Sequence, residues 1–124
     1  MEDEDRVEVL YHGTTLDVAQ RILAERQFDL RDTFFAQTRE LAEYFALRSR
    51  QNVSTSSRPA VIAVPVYLSD LRDWRRGRLV HSKGFDDTDA PDLRGKVQLK
   101  FTPSGMRLLN AHSFGDEWRI TPLN

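Results

Sequence analysis

No cysteine occurs in the 124 residues. That excludes disulfides, thiolate metal sites and cysteine nucleophiles together. Charge of one sign is lacking too. Eighteen Lys and Arg stand against 19 Asp and Glu, so net charge is −1 and bulk charge selects no partner. No apolar run approaches the roughly 18 residues of a membrane span. The start, MEDEDRVEV, is acidic and has no basic, apolar opening, so it does not read as a secretory signal. Cytoplasmic location without membrane association is the expectation, with delivery to another cell by a route needing no such signal as the alternative. The three histidines, His12, His81 and His112, lack metal spacing such as HExxH, so no metal site is expected. A serine-hydrolase elbow GxSxG, a P-loop and GxGxxG are all missing.

What is present suits one domain over residues 1–124, with 1–6 expected to be flexible. A chain of this length buries somewhat under ~70% of its unfolded surface, enough for one core. VEVLY at 7–11 alternates like a strand. Thr14-Thr15-Leu16-Asp17 fits a capping box with Asp17 in the usual Glu place. Leu16, Ala19, Ile22 and Leu23 then form a helical stripe, ending near Glu25–Gln27. A short strand follows at 32–36, then Thr38 as cap of a helix with Leu41, Ala42, Phe45 and Ala46 on one face. QNVSTSSRP is a polar loop. AVIAVPVYL is a buried strand that Pro65 places at an edge or bulge. A weaker strand is expected at 79–81, an alternating strand at 96–102 and a closing strand at 118–120, with a loop over 86–95 and a turn at 103–105. Met106–Ala111 fits strand or helix. Helices early and strands late indicate α+β.

One stretch, YHGTT at 11–15, carries more than local structure. By itself Gly13 is a turn residue, Thr14 a cap and His12 a histidine satisfying a backbone group. TFFAQTRELAEYFA then adds strand aromatics and a helix bearing Tyr44. In this order YHGTT, FFA and the helix tyrosine resemble the NAD-binding half of the diphtheria-toxin-like ADP-ribosyltransferases. That superfamily includes poly(ADP-ribose) polymerases, rifampicin ADP-ribosyltransferases and small bacterial domains. The resemblance covers residues 7–50. It implies a split, mixed β-sheet with two helices in the N-terminal half and NAD as substrate. It also implies that His12 bonds the adenosine-side ribose and that Gly13 clasps the nicotinamide carboxamide, with Thr14 completing the motif. Phe34 and Tyr44 would sandwich the nicotinamide ring. Flat aromatic faces favour an electron-poor pyridinium by about 0.5–2 kcal/mol each. Phe34 stands where the polymerases have tyrosine, so stacking survives and the hydroxyl does not.

Cleavage of the nicotinamide–ribose bond gains from a carboxylate near the developing positive charge. The family usually supplies a late-strand glutamate. Two residues compete for that place. Gln98, in KVQLKFTPSGMRLL, resembles small bacterial relatives with glutamine there. Glu117, in FGDEWRIT, resembles the polymerase pattern. A loop acid, Asp86, Asp87 or Asp92, is the third choice. The resemblance implies mono-ADP-ribosyl transfer to a macromolecule or small molecule. NAD glycohydrolysis, or a catalytically inactive transferase-like module that binds a partner in a toxin, phage or defence system, are the alternatives. RNA 2′-phosphate transfer uses a similar start but usually carries a second domain. A second transferase class uses a Ser-Thr-Ser strand; Ser54-Thr55-Ser56 reads instead as loop composition. The basic run Arg72, Arg75, Arg76 and Arg78, with Lys83 beyond, reads as a solvated loop or as a surface for a nucleic acid or acidic protein.

Overall fold

In a computed structural model, residues 6–52 and 57–123 are described, the side chains of 49–52 excepted. Ten elements follow one another: β1 (Val7–Thr15), α1 (Leu16–Glu25), β2 (Thr33–Ala36), α2 (Arg39–Asn52), β3 (Pro59–Tyr67), α3 (Leu68–Arg76), β4 (Val80–Gly84), β5 (Val97–Phe101), α4 (Pro103–His112) and β6 (Arg119–Pro122). The class is α+β. The strands form one sheet in the order β4-β5-β2-β1-β3-β6. Every pairing is antiparallel, which corrects the expectation of a mixed sheet. Among the described residues the two helices expected in the N-terminal half are α1 and α2, and α3 and α4 are added after them.

Both added helices have readable causes. Leu71 and Trp74 are the buried positions of α3, three apart on one face, and the arginines lie on the rest of the surface. The basic run is therefore largely helical; Arg78 follows Gly77 with φ of 63°. In α4, Pro103 occupies the first turn, where its missing N–H costs nothing. Thr102 caps that turn, its Oγ1 accepting from Gly105 N at 3.1 Å. What reads as a turn at 103–105 is thus a helix start.

Two expected caps fail. Thr14 belongs to β1, opposite Ala60, and is buried. Thr15 is the residue before α1, but its hydroxyl donates to Asp17 Oδ1 at 2.5 Å instead of accepting from the helix. Thr38 accepts from Ala42 N only through its carbonyl, and its buried hydroxyl has no partner. The end of α1 is as read: Arg26 adopts φ of 54° and terminates it. Pro65 lies on β3 beyond the stretch Ala60–Ala63 that β6 covers, so its missing N–H breaks no ladder there.

Two apolar clusters flank the sheet. The larger joins Leu10, Phe28, Phe35, Ile62, Leu99, Phe101, Trp118 and the buried faces of α1, α3 and α4. The smaller joins Ala36, Leu41, Ala42, Ala46, Val61 and Phe85 under α2. Gly13 permits that second contact, because a Cβ there would overlap the backbone at Ala42 O and Ala46 N. Residues 1–5 and Ser54-Thr55-Ser56 lie outside the described residues. Arg6 is held, its carbonyl accepting from Leu68 N at 2.8 Å.

Candidate functional site

Strand β1 has two unlike sides. Toward β3 every residue from Val7 to Thr15 has a partner. Toward β2 the register shows one pair, Tyr11↔Ala36. Continued antiparallel pairing would set Gly13 opposite Phe34 and Thr14 opposite Thr33. The strands part instead, and a cavity of about 550 Å³ opens there, lined by His12, Gly13, Thr14, Thr33, Phe34 and Gln98. Its size falls within the range of small-molecule sites.

His12 spans the opening. Its Nδ1 lies 2.8 Å from the Phe34 carbonyl oxygen. A carbonyl only accepts, so Nδ1 carries the proton and, in the neutral ring, Nε2 is the acceptor. Burial lowers the His12 pKa below the ordinary histidine value; the Phe34 hydrogen bond opposes this and the nearby Arg31 charge adds to it. The ring packs edge-on to Phe28, with centroids 5.6 Å apart, and tilted against Phe35 at 5.4 Å. The bland reading of this histidine, satisfaction of a backbone carbonyl, is therefore true, and it also orients the ring at the cavity wall.

Phe34 leaves 47% of its surface exposed, so its ring is available to a ligand. Gln98 reaches the cavity because β5 pairs with β2 at Gln98↔Ala36, beside the point where β1 and β2 part. The far wall comes from Val18, Arg21 and Ile22 of α1 and from the 28–32 connection. That connection, with Asp29, Arg31 and Asp32, was not anticipated as part of the site. Its only signal in the sequence is the polar run DLRD between a helical stripe and a strand.

Two expected site residues stand elsewhere. Tyr44 does not line the cavity; its neighbour Phe45 does. The Tyr44 hydroxyl donates to Asp87 Oδ2 at 2.8 Å, and its ring meets Phe85 edge-on at 5.5 Å. The bond to Asp87 raises the Tyr44 pKa, while the Asp89 N–H and the Tyr44 hydroxyl lower that of Asp87. Tyr44 thus fastens the 86–95 connection to α2. Glu117 ends a short turn, Gly115–Glu117, and lines neither this cavity nor the smaller hollow near Asp116 and Trp118. The loop acids Asp86, Asp87 and Asp92 are outside the cavity as well. Of the expected set, the structure brings together His12, Gly13, Thr14, Phe34 and Gln98.

Arg75 and Arg76 are committed in part to local contacts, Arg75 to Ser82 Oγ at 2.9 Å and Arg76 to Asp73 at 3.4 Å. Among the described residues no group of three or more His, Asp or Glu is placed to hold a metal, and no helix is long and apolar enough to cross a membrane. Comparison with protein-family models, with curated proteins and with solved structures found no match in any of the three.

Proposed function

We propose that the protein is an ADP-ribosyltransferase that binds NAD in the opening between β1 and β2 and transfers one ADP-ribosyl group to a macromolecular or small-molecule acceptor. One observation carries this reading: His12, Gly13, Phe34 and Gln98, from three strands, meet at a single cavity. Each then has work that suits its chemistry. Neutral His12 offers Nε2 to a ribose hydroxyl. The β1 edge at Gly13, with no β2 residue opposite, offers backbone polar groups to a carboxamide. The exposed Phe34 ring takes the nicotinamide face. Gln98 hydrogen-bonds a hydroxyl of the reacting ribose. In the reaction the C1′–N bond breaks, nicotinamide leaves with the bonding pair, and an acceptor atom bonds C1′ and loses its proton to water.

A second reading, NAD binding without turnover, is favoured by one feature. The late-strand residue at the cavity is Gln98, which carries no charge to offset an oxocarbenium ion. Incubation with NAD labelled in its adenosine half, with and without cell lysate, separates the two. Transfer of label together with nicotinamide release supports the transferase. Binding without release selects the second reading, and release without transfer selects a glycohydrolase. Absence of both binding and release removes all three.

A further inference from the structure

We propose that Arg31 anchors the diphosphate of the nucleotide in this cavity. The proposal deepens the NAD reading and rests on it for the identity of the nucleotide.

Four charged residues line the cavity: Arg21, Asp29, Arg31 and Asp32. Three of them are already neutralised. Arg21 holds Asp29 through both oxygens, at 3.3 and 3.5 Å, and also reaches Glu25 at 3.8 Å. Asp32 is drawn to Lys100 across the sheet at 3.5 Å. The two carboxylates closest to Arg31 in the chain are thus engaged by other cations. Arg31 itself forms no ion pair among the described residues, and its side chain is exposed. Arg31 is left as the one cation lining the cavity without an ion-pair partner among the described residues, beside a histidine whose pKa burial lowers. Such a site selects an anion.

The shape of the group narrows the anion to a phosphate. A guanidinium presents a planar fork of donors that matches two oxygens at once. Arg31 stands two residues before Thr33 and on the same cavity as His12, so an anion on Arg31 and a ribose on His12 belong to one molecule of nucleotide size. The position is also defined by the backbone: Arg31 N donates to Asp29 O at 3.0 Å, and Arg31 O accepts from Thr33 Oγ1 at 2.9 Å. The arginine is therefore presented from a tied turn.

Calorimetric titration with NAD, ADP-ribose and inorganic pyrophosphate tests this on the wild type, Arg31→Gln, Arg31→Lys and Phe34→Ala. Arg31→Gln is expected to weaken NAD and ADP-ribose alike by about 10- to 100-fold, with Arg31→Lys recovering part of the loss. Phe34→Ala is expected to weaken NAD and spare ADP-ribose. The salt dependence of ADP-ribose binding should be shallower in Arg31→Gln. An unchanged melting temperature in Arg31→Gln shows that the loss is not one of folding. Equal NAD affinity in the wild type and Arg31→Gln overturns the proposal and leaves the NAD reading standing. Arg31-dependent binding of pyrophosphate and ADP-ribose, with no added affinity for NAD and no effect of Phe34→Ala, keeps the anchor and removes the nicotinamide site. A wild type that binds no phosphate-bearing probe overturns the anchor outright.

Discussion

Strand β1 is closed on one side and open on the other. Against β3 it is paired from end to end, and the β3 partners of His12 and Leu10, Ile62 and Val64, are fully buried. Against β2 it is paired at Tyr11 alone, and a side chain takes the place of the next ladder bond when His12 reaches the Phe34 carbonyl. The closed side supplies stability. The open side leaves strand edges and an oriented imidazole facing a cavity. The difference teaches how a cavity opens within a sheet: two strands part after one shared pair, while the other edge of the parted strand is held firmly.

The contrast can be broken most strongly on the closed side. Ile62→Ala removes buried branches opposite His12 and is expected to lower stability by about 2–5 kcal/mol in urea unfolding. A loss under ~1 kcal/mol would mean that the β1–β3 core is not what holds the sheet.

On the open side, His12→Ala should cost only about 0.5–1.5 kcal/mol of stability, the range of one hydrogen bond, while NAD affinity falls about tenfold. Its pH dependence has a definite sign. The folded pKa is below the unfolded value of about 6.5, so the native state binds the proton less readily than the unfolded chain. Stability from this residue is full above ~6.5 and declines as pH falls toward the folded pKa. NAD affinity should decline as pH passes through that lower, folded pKa, because protonation removes the Nε2 acceptor. An NAD affinity that stays flat through the pH at which NMR shows the folded His12 ring taking up its proton would contradict the neutral-acceptor role.

A smaller effect is expected from Tyr44→Phe. It removes the bond to Asp87 and leaves the ring, so proteolysis of the 86–95 connection should quicken while NAD affinity changes by less than about twofold. A larger drop in NAD affinity would put the Tyr44 hydroxyl in the site. The smallest effect belongs to Glu117→Gln, which should leave both stability and nicotinamide release unchanged, since Glu117 lines neither of the two cavities described. A substantial loss of release in that variant would return Glu117 to the chemistry.

Much of this was legible in the sequence, and the misses have physical causes. Strand and helix stripes in the first half stand out because each buries one face against a core, so period and burial agree at Leu16–Leu23 and Leu41–Ala46. The α3 helix was hidden by three arginines that conceal a two-residue apolar stripe, Leu71 and Trp74. The α4 start was hidden by Pro-Ser-Gly, turn residues that also suit a helix N-terminus. Pairing direction is not encoded in alternation, so the sheet could not be read as antiparallel. His12, Phe34 and Gln98, singled out by motif and strand pattern, line one cavity. Arg31 was not singled out, because its meaning depends on Asp29 and Asp32 being engaged by cations distant in sequence. Tyr44 lies off the cavity because its hydroxyl has a nearer partner, Asp87, which helix position alone does not reveal.

The central claim is that NAD occupies the opening between β1 and β2. The most direct measurement is a calorimetric titration of NAD into the wild type, His12→Ala and Ile62→Val, the last a closed-side change mild enough to keep the fold. The account predicts one site in the wild type, the same affinity in Ile62→Val, and about tenfold weaker binding in His12→Ala. No heat of binding in the wild type, or equal affinity in His12→Ala, would contradict it.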